Sequence, residues 1–179
     1  IPIVIHDGTL DRTTDALARW GGKNLPVSQR TAAELLQLHA GTWFQPPFPD
    51  QRLVTLASAL DFIQARGVTL VERKAGAADT LVQLLGERNL LNRVVVQSFD
   101  WSYLRAYHRL EPRQVLGALG PAGSKDGRKL EDAEKALNRA WLEEIRDLGA
   151  RVAVWNRQVD AEAVRIAHSL GLRVWVYTI

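Results

Sequence analysis

The stretch "RVVVQSFDWSYLRAYHRL", residues 93–110, decides the fold. Its first half is apolar at nearly every position and rich in valine, the composition of a strand covered on both faces. Its second half switches to helical spacing from Trp101 on, after Ser98 and Phe99, which serve the turn. A buried strand followed at once by a helix is half of a βαβ unit.

The same alternation extends in both directions. Upstream, "VTLVERK" reads as a strand and the stretch from Asp79 to Leu91 as the helix between. Before it, Thr55 can cap "TLASALDFIQARG", where Leu56, Ala59, Leu60 and Ile63 form an apolar stripe. Downstream, "QVLGALG", "ARVAVWN" and "LRVWVYTI" read as strands. They are separated by a Gly120–Arg128 loop, a helical zone from Leu130 to Leu148, and a helix capped by Asp160. Nearer the start, Thr31 and Glu34 are spaced as a capping box for "TAAELLQLHAG", whereas the prolines of "TWFQPPFPDQRLV" enforce a loop. The opening "IPIVIHD" reads as a further buried strand, bringing the expected strands to six. Strands alternating with helices imply a parallel sheet, as a doubly wound fold or a (β/α)₈ barrel. In a barrel, chemistry gathers at the carboxyl ends of the strands.

Composition narrows the function classes. At 179 residues and 46% hydrophobic, the chain can bury one sizeable core, so residues 1–179 are expected to form a single domain. The net charge of +3 is scattered, with no basic cluster interleaved with aromatics, which gives nucleic-acid binding no support. No run approaches the roughly 20 apolar residues of a membrane span, so stable membrane insertion is not expected. Without cysteine there is no thiolate or disulfide chemistry. Cellular location and oligomeric state are not specified.

The strand ends carry polar groups: "IHD", "ERK", "QSFD", "WN" and "YT". Glu72 and Lys74 are two apart and share a strand face. A carboxylate beside an ammonium suits a hard cation plus a phosphate, and equally suits a structural ion pair. His6, ending the first strand, could pass a proton, although a lone strand-end histidine is commonly structural. His39, His108 and His168 lie in helical segments and read as structural. Ser98 and Phe99 are assigned to the turn, and Trp155 and Asn156 to a packed ring and a cap.

"PIVIHDGTLDRTT" resembles the "P-V-V-x-H-D-x-x-L-x-R-T-T" segment of the glycerophosphodiester phosphodiesterase family. "VERKAG" resembles its Glu-x-Lys strand, "VVVQSFDWSYL" its "S-F" strand and following helix, and "GLRVWVYTI" its "W-T-V-N" strand. The resemblance implies a (β/α)₈ barrel, here truncated with about six of eight strands, that hydrolyses glycerophosphodiesters to glycerol 3-phosphate and an alcohol. It implies a divalent metal, Mg or Ca, with Glu72 as a ligand. It implies His6 as the catalytic acid at the leaving alkoxide, and Lys74 and Tyr177 as substrate-binding residues, Tyr177 standing where a tryptophan is common. Asp7 belongs to the same motif and would orient the loop. The family's "H-R-G", "E-N-T" and "E-x-D" segments have no counterpart here. The chain is therefore expected to be part of a longer domain and inactive alone. Arg73 departs from the pattern: it should face the helix layer, where an apolar residue is usual, and either snorkel or pair with an acidic helix residue. The rival readings are another barrel phosphodiesterase, of the sphingomyelinase D or phosphatidylinositol-specific phospholipase C type, and a non-catalytic barrel kept as a binding module.

Overall fold

A computed structural model describes residues 1–125 and 127–178. Asp126, in the expected 120–128 loop, and Ile179, which ends the expected last strand, lie outside the described residues. The chain divides into two compact units, Ile1–Gly67 and Val68–Ile179.

The first unit holds α1 (Ala16–Trp20), a 3₁₀ turn (Val27–Gln29), α2 (Ala32–Leu35) and α3 (Leu56–Ile63). Its core is Leu10, Ala16, Leu35, Leu38 and Leu53, with Ile3, Ile5, Trp20 and Leu25 packed against it. The Thr31–Glu34 capping box forms, and Thr55 caps α3 through Ser58 N–H at 3.1 Å. The helix expected over 31–41 stops after one turn. The expected opening strand is not formed either, which corrects the six-strand reading. Ile3 makes a single antiparallel bridge with Thr55, Val4 N–H donates to Val54 O, and Leu56 N–H to Pro2 O. A ladder needs alternating donors along the segment, and Pro2 has no N–H to give.

The second unit is a five-stranded parallel sheet: β1 (Thr69–Glu72), β2 (Val94–Ser98), β3 (Val115–Leu119), β6 (Val152–Trp155) and β7 (Arg173–Val176), in that spatial order. Helices α4 (Ala78–Glu87), α5 (Trp101–Leu110), α6 (Arg139–Asp147) and α7 (Ala161–Ser169) make the crossovers. Between β3 and α6 lie a two-stranded hairpin, β4 (Ser124–Lys125) with β5 (Arg128–Lys129), and a 3₁₀ turn at Asp132–Lys135.

Register fixes the faces, because paired residues of parallel strands point the same way. Val96, Leu116, Ala118, Ala153 and Trp155 face the helices and are fully buried. The opposite face carries Leu70, Glu72, Gln97, Gly117, Leu119, Val152 and Val154. That face is concave. Phe99 follows β2 and Tyr177 follows β7, three strands away, yet their ring centroids are 6.1 Å apart. On a flat sheet their backbones would stand about 14 Å apart.

Candidate active site

The "LDRTT" motif builds a scaffold under His6. Leu10 is fully buried and anchors the loop. Asp11 accepts from the N–H groups of Asn24 and Leu25 at 2.6 and 2.8 Å. Thr14 donates to Leu10 O and accepts from Ala16 N–H at the start of α1. Arg12 grips Asp7 with two hydrogen bonds, Nε to Oδ2 at 2.7 Å and Nη2 to Oδ1 at 2.9 Å. Asp7 in turn contacts His6 Nδ1 at 2.8 Å. The Arg12 guanidinium first, and His6 second, hold the Asp7 carboxyl well below the usual carboxylate range. An ionised Asp7 favours the His6 tautomer with the proton on Nδ1 and orients the ring. Nε2 then remains for proton transfer on an imidazole whose side chain is 74% exposed. Asp7 thus touches the histidine itself, beyond the loop-orienting role expected of it.

In the second unit, β1 ends with Glu72 on the concave face, and Lys74 Nζ meets Glu72 Oε1 at 2.5 Å. Tyr177 lies half-buried, its hydroxyl donating to Gly120 O at 2.7 Å. Burial first, and then the charge of Glu72, push the Tyr177 phenol upward. Glu72 reaches Tyr177 electrostatically although they follow opposite edge strands, a further consequence of curvature. The structure therefore brings Glu72, Lys74 and Tyr177 to one concave surface, while His6 is held within the first unit by its own scaffold.

Three neighbours escaped the sequence reading. Phe99, assigned to the turn, is half exposed and meets Tyr177 edge-on. Gln97, in register with Glu72, is 7% exposed and its Oε1 has no hydrogen-bond partner among the described residues. It lies over Gly117, where an added Cβ would come within 3.2 Å of Gln97 Cβ. Asp100 caps α5 and pairs with Arg73. Strand alternation places Gln97 on the same face as Phe99, and that was the available signal.

Among the described residues no group of three or more histidine, cysteine or acidic side chains is placed to hold a metal ion. Hard divalent cations take six or more oxygens. Glu72 offers one carboxylate, and Lys74 already engages it. These residues do not by themselves fit a metal. No described helix is long and apolar enough to cross a membrane.

The chain is 28% identical to a glycerophosphodiester phosphodiesterase of Bacillus subtilis (strain 168) over 99% of its own length and 61% of that protein's. It is 30% identical to one from Caldanaerobacter subterraneus subsp. tengcongensis, over 68% of this chain and 50% of that one. The chain thus spans about half to two thirds of the length of these two relatives. A phosphodiesterase of Oleispira antarctica, solved with its product sn-glycerol-3-phosphate, superposes with a TM-score of 0.79 at 24% identity, covering 100% of this chain and 68% of that one. The glycerophosphodiester phosphodiesterase of Agrobacterium tumefaciens str. C58 gives 0.73 at 20% identity, covering 98% and 68%. Such neighbours are (β/α)₈ barrels, and their family is typically metal-dependent. The model of the glycerophosphoryl diester phosphodiesterase family matches residues 1–179, so the chain belongs to that family.

Proposed function

We propose that the protein carrying this chain hydrolyses glycerophosphodiesters to glycerol 3-phosphate and an alcohol, and that residues 1–179 are one partial domain of a (β/α)₈ barrel. The observation that carries this reading is the Glu72–Lys74 pair at the carboxyl end of β1, within a chain that the family model matches throughout. Lys74, leaving Glu72, supplies a point charge to the phosphoryl oxygens, where charge builds in the transition state. His6, its Nδ1 held by Asp7 and Arg12, is assigned to the acid step by the family resemblance alone. In that step the imidazolium gives its Nε2 proton to the departing alkoxide oxygen and is left neutral with the proton on Nδ1. Tyr177 and Phe99 offer an aromatic wall to the glyceryl carbons. Glu72 is assigned to Mg²⁺ or Ca²⁺ by the family resemblance alone, and no step here is routed through a metal.

Binding by this chain decides the matter, because a lone carboxylate leaves hydrolysis weak. Glycerol 3-phosphate should shift the NMR signals of Lys74 and Tyr177, and inorganic sulfate should compete at Lys74. Absence of any shift at Lys74 overturns the reading. Glycerophosphocholine hydrolysis by the whole protein carrying this chain, with Mg²⁺ or Ca²⁺ added, should be lost on His6→Ala. The rival is a non-catalytic barrel that binds without turnover, favoured if the whole protein carrying this chain lacks the family's "H-R-G" and "E-x-D" segments. It prevails if glycerol 3-phosphate binds and the whole protein carrying this chain shows no turnover with Mg²⁺ or Ca²⁺ added.

A further inference from the structure

Arg73 stands between the two proposed site residues of β1 and points the other way, toward α5. Its guanidinium is only one-fifth exposed and every part of it is engaged. Nη1 donates to Asp100 Oδ2 at 2.8 Å. Nε and Nη2 both donate to Gly76 O, at 3.0 and 2.8 Å. Its Cζ lies over the Tyr103 ring, 4.3 Å from the centroid. The backbone is fixed as well: Arg73 N–H donates to Gln97 O at 2.8 Å, and Ser98 Oγ donates to Arg73 O at 3.1 Å. Gly76 has φ +97°, which lets the chain turn back so that its carbonyl meets the guanidinium. Asp100 is itself held, its Oδ1 accepting from Ser102 Oγ and Tyr103 N–H.

Lys74 therefore sits between two clamped residues, 73 and 76, and both are tied to the turn that begins α5. We propose that Arg73 is a positioning residue: from the helix side of the sheet it fixes the β1–α4 turn and so holds Lys74 beside Glu72, where a phosphate is to be met. This rests on the site assigned under the proposed function. The planar fork suits the task, because it binds a carboxylate and a carbonyl at once and stacks on an aromatic ring; a lysine at 73 keeps only the charge. Without the clamp, a long flexible ammonium explores many rotamers, and a displacement of about 1 Å at a catalytic group can cost on the order of 10²-fold in rate.

The test reads Lys74 directly. Lysines carrying ¹³C-methylated amines are observed by NMR in the unmodified chain and in Arg73→Met, Arg73→Lys and Asp100→Asn. Asparagine still caps α5, so the last variant weakens the clamp without removing the helix start. In the wild type the Lys74 methyl signal should stand apart from the other lysines. In Arg73→Met it should collapse onto the exposed-lysine position, with smaller movements in Arg73→Lys and Asp100→Asn. Glycerol 3-phosphate affinity should fall about tenfold in Arg73→Met, the equivalent of one charge-assisted contact. A purely structural role predicts lower stability with an unmoved Lys74 signal. An unmoved signal in folded Arg73→Met, or in Asp100→Asn should the former not fold, overturns the proposal. Failure of glycerol 3-phosphate to shift Lys74 in the wild type overturns the phosphodiester reading instead, leaving the clamp to be judged by the ligand-free spectra.

Discussion

Gly120→Ala offers a demanding test of the packing beside the site. Gly120 follows β3, and its N–H donates to Val154 O at 2.9 Å. A Cβ there would fall within 2.5 and 2.6 Å of Trp155 Cη2 and Cε3, and closer still to Cζ3. Carbon atoms rest at about 3.5–4.0 Å, so the indole must retreat by about 1 Å or more. It has little room, being fully buried and stacked against Trp141 at 5.7 Å. Its Nε1 donates to Lys135 O at 2.8 Å, a bond that the retreat would strain. Overpacking costs about 1–3 kcal/mol, and a weakened hydrogen bond about 0.5–1.5. The sum is about 1.5–4.5 kcal/mol, or a melting temperature lower by roughly 3–18 °C at this chain length. Urea denaturation followed by tryptophan fluorescence measures it, and the native emission should shift as the indole moves. A loss below about 0.5 kcal/mol with unchanged emission, the range of an innocuous surface change, would refute the argument from the glycine's close approach.

Glu134 is held down to about 2 by its paired bonds to Arg128, and next by the Glu131 N–H. A carboxylate with a depressed folded value contributes stability above its ordinary 4.5, lost as the pH falls from there through about 2. Arg128→Ala should therefore raise the Glu134 titration midpoint toward 4.5, seen in its carboxyl ¹³C shift; an unmoved midpoint would break the assignment. Leu104→Ala empties a fully buried position in α5 and should cost about 2–5 kcal/mol in urea denaturation; less than about 1 would show that the helix–sheet seam can close.

The parallel sheet of the second unit was legible from periodicity, since valine-rich runs bounded by turn residues have few other solutions. What sequence could not supply was the pairing of distant segments. Arg73 and Asp100 are 27 apart, and only the β1–β2 register brings one over the other. The helical zone at 130–148 breaks because Ala136 is extended, Leu137 N–H goes to Gln158 O, and Asn138 starts α6 anew with its side chain. Its polar spacing still passes for one amphipathic stretch. Gly127, at φ +78° just before β5, was an available turn signal, read as plain loop. At the site, Glu72 and Lys74 were visible because strand alternation puts them on one face, whereas burial of the Gln97 amide depends on the absence of a side chain at Gly117.

Alternation along the end of β1 has one more consequence. Glu72 and Lys74 face the concave surface and Arg73 faces the helices, so the proposed site pair and its proposed support occupy even and odd places in a single line. Inheritance can then revise the two independently. On the proposed clamp, a substitution at 73 changes how firmly the ammonium is held, and one at Tyr103 or Asp100 changes it again, with Glu72 and Lys74 left as they are. Deleting a single residue from this segment, by contrast, would exchange the two roles at a stroke, turning the guanidinium inward and burying the ammonium among helices.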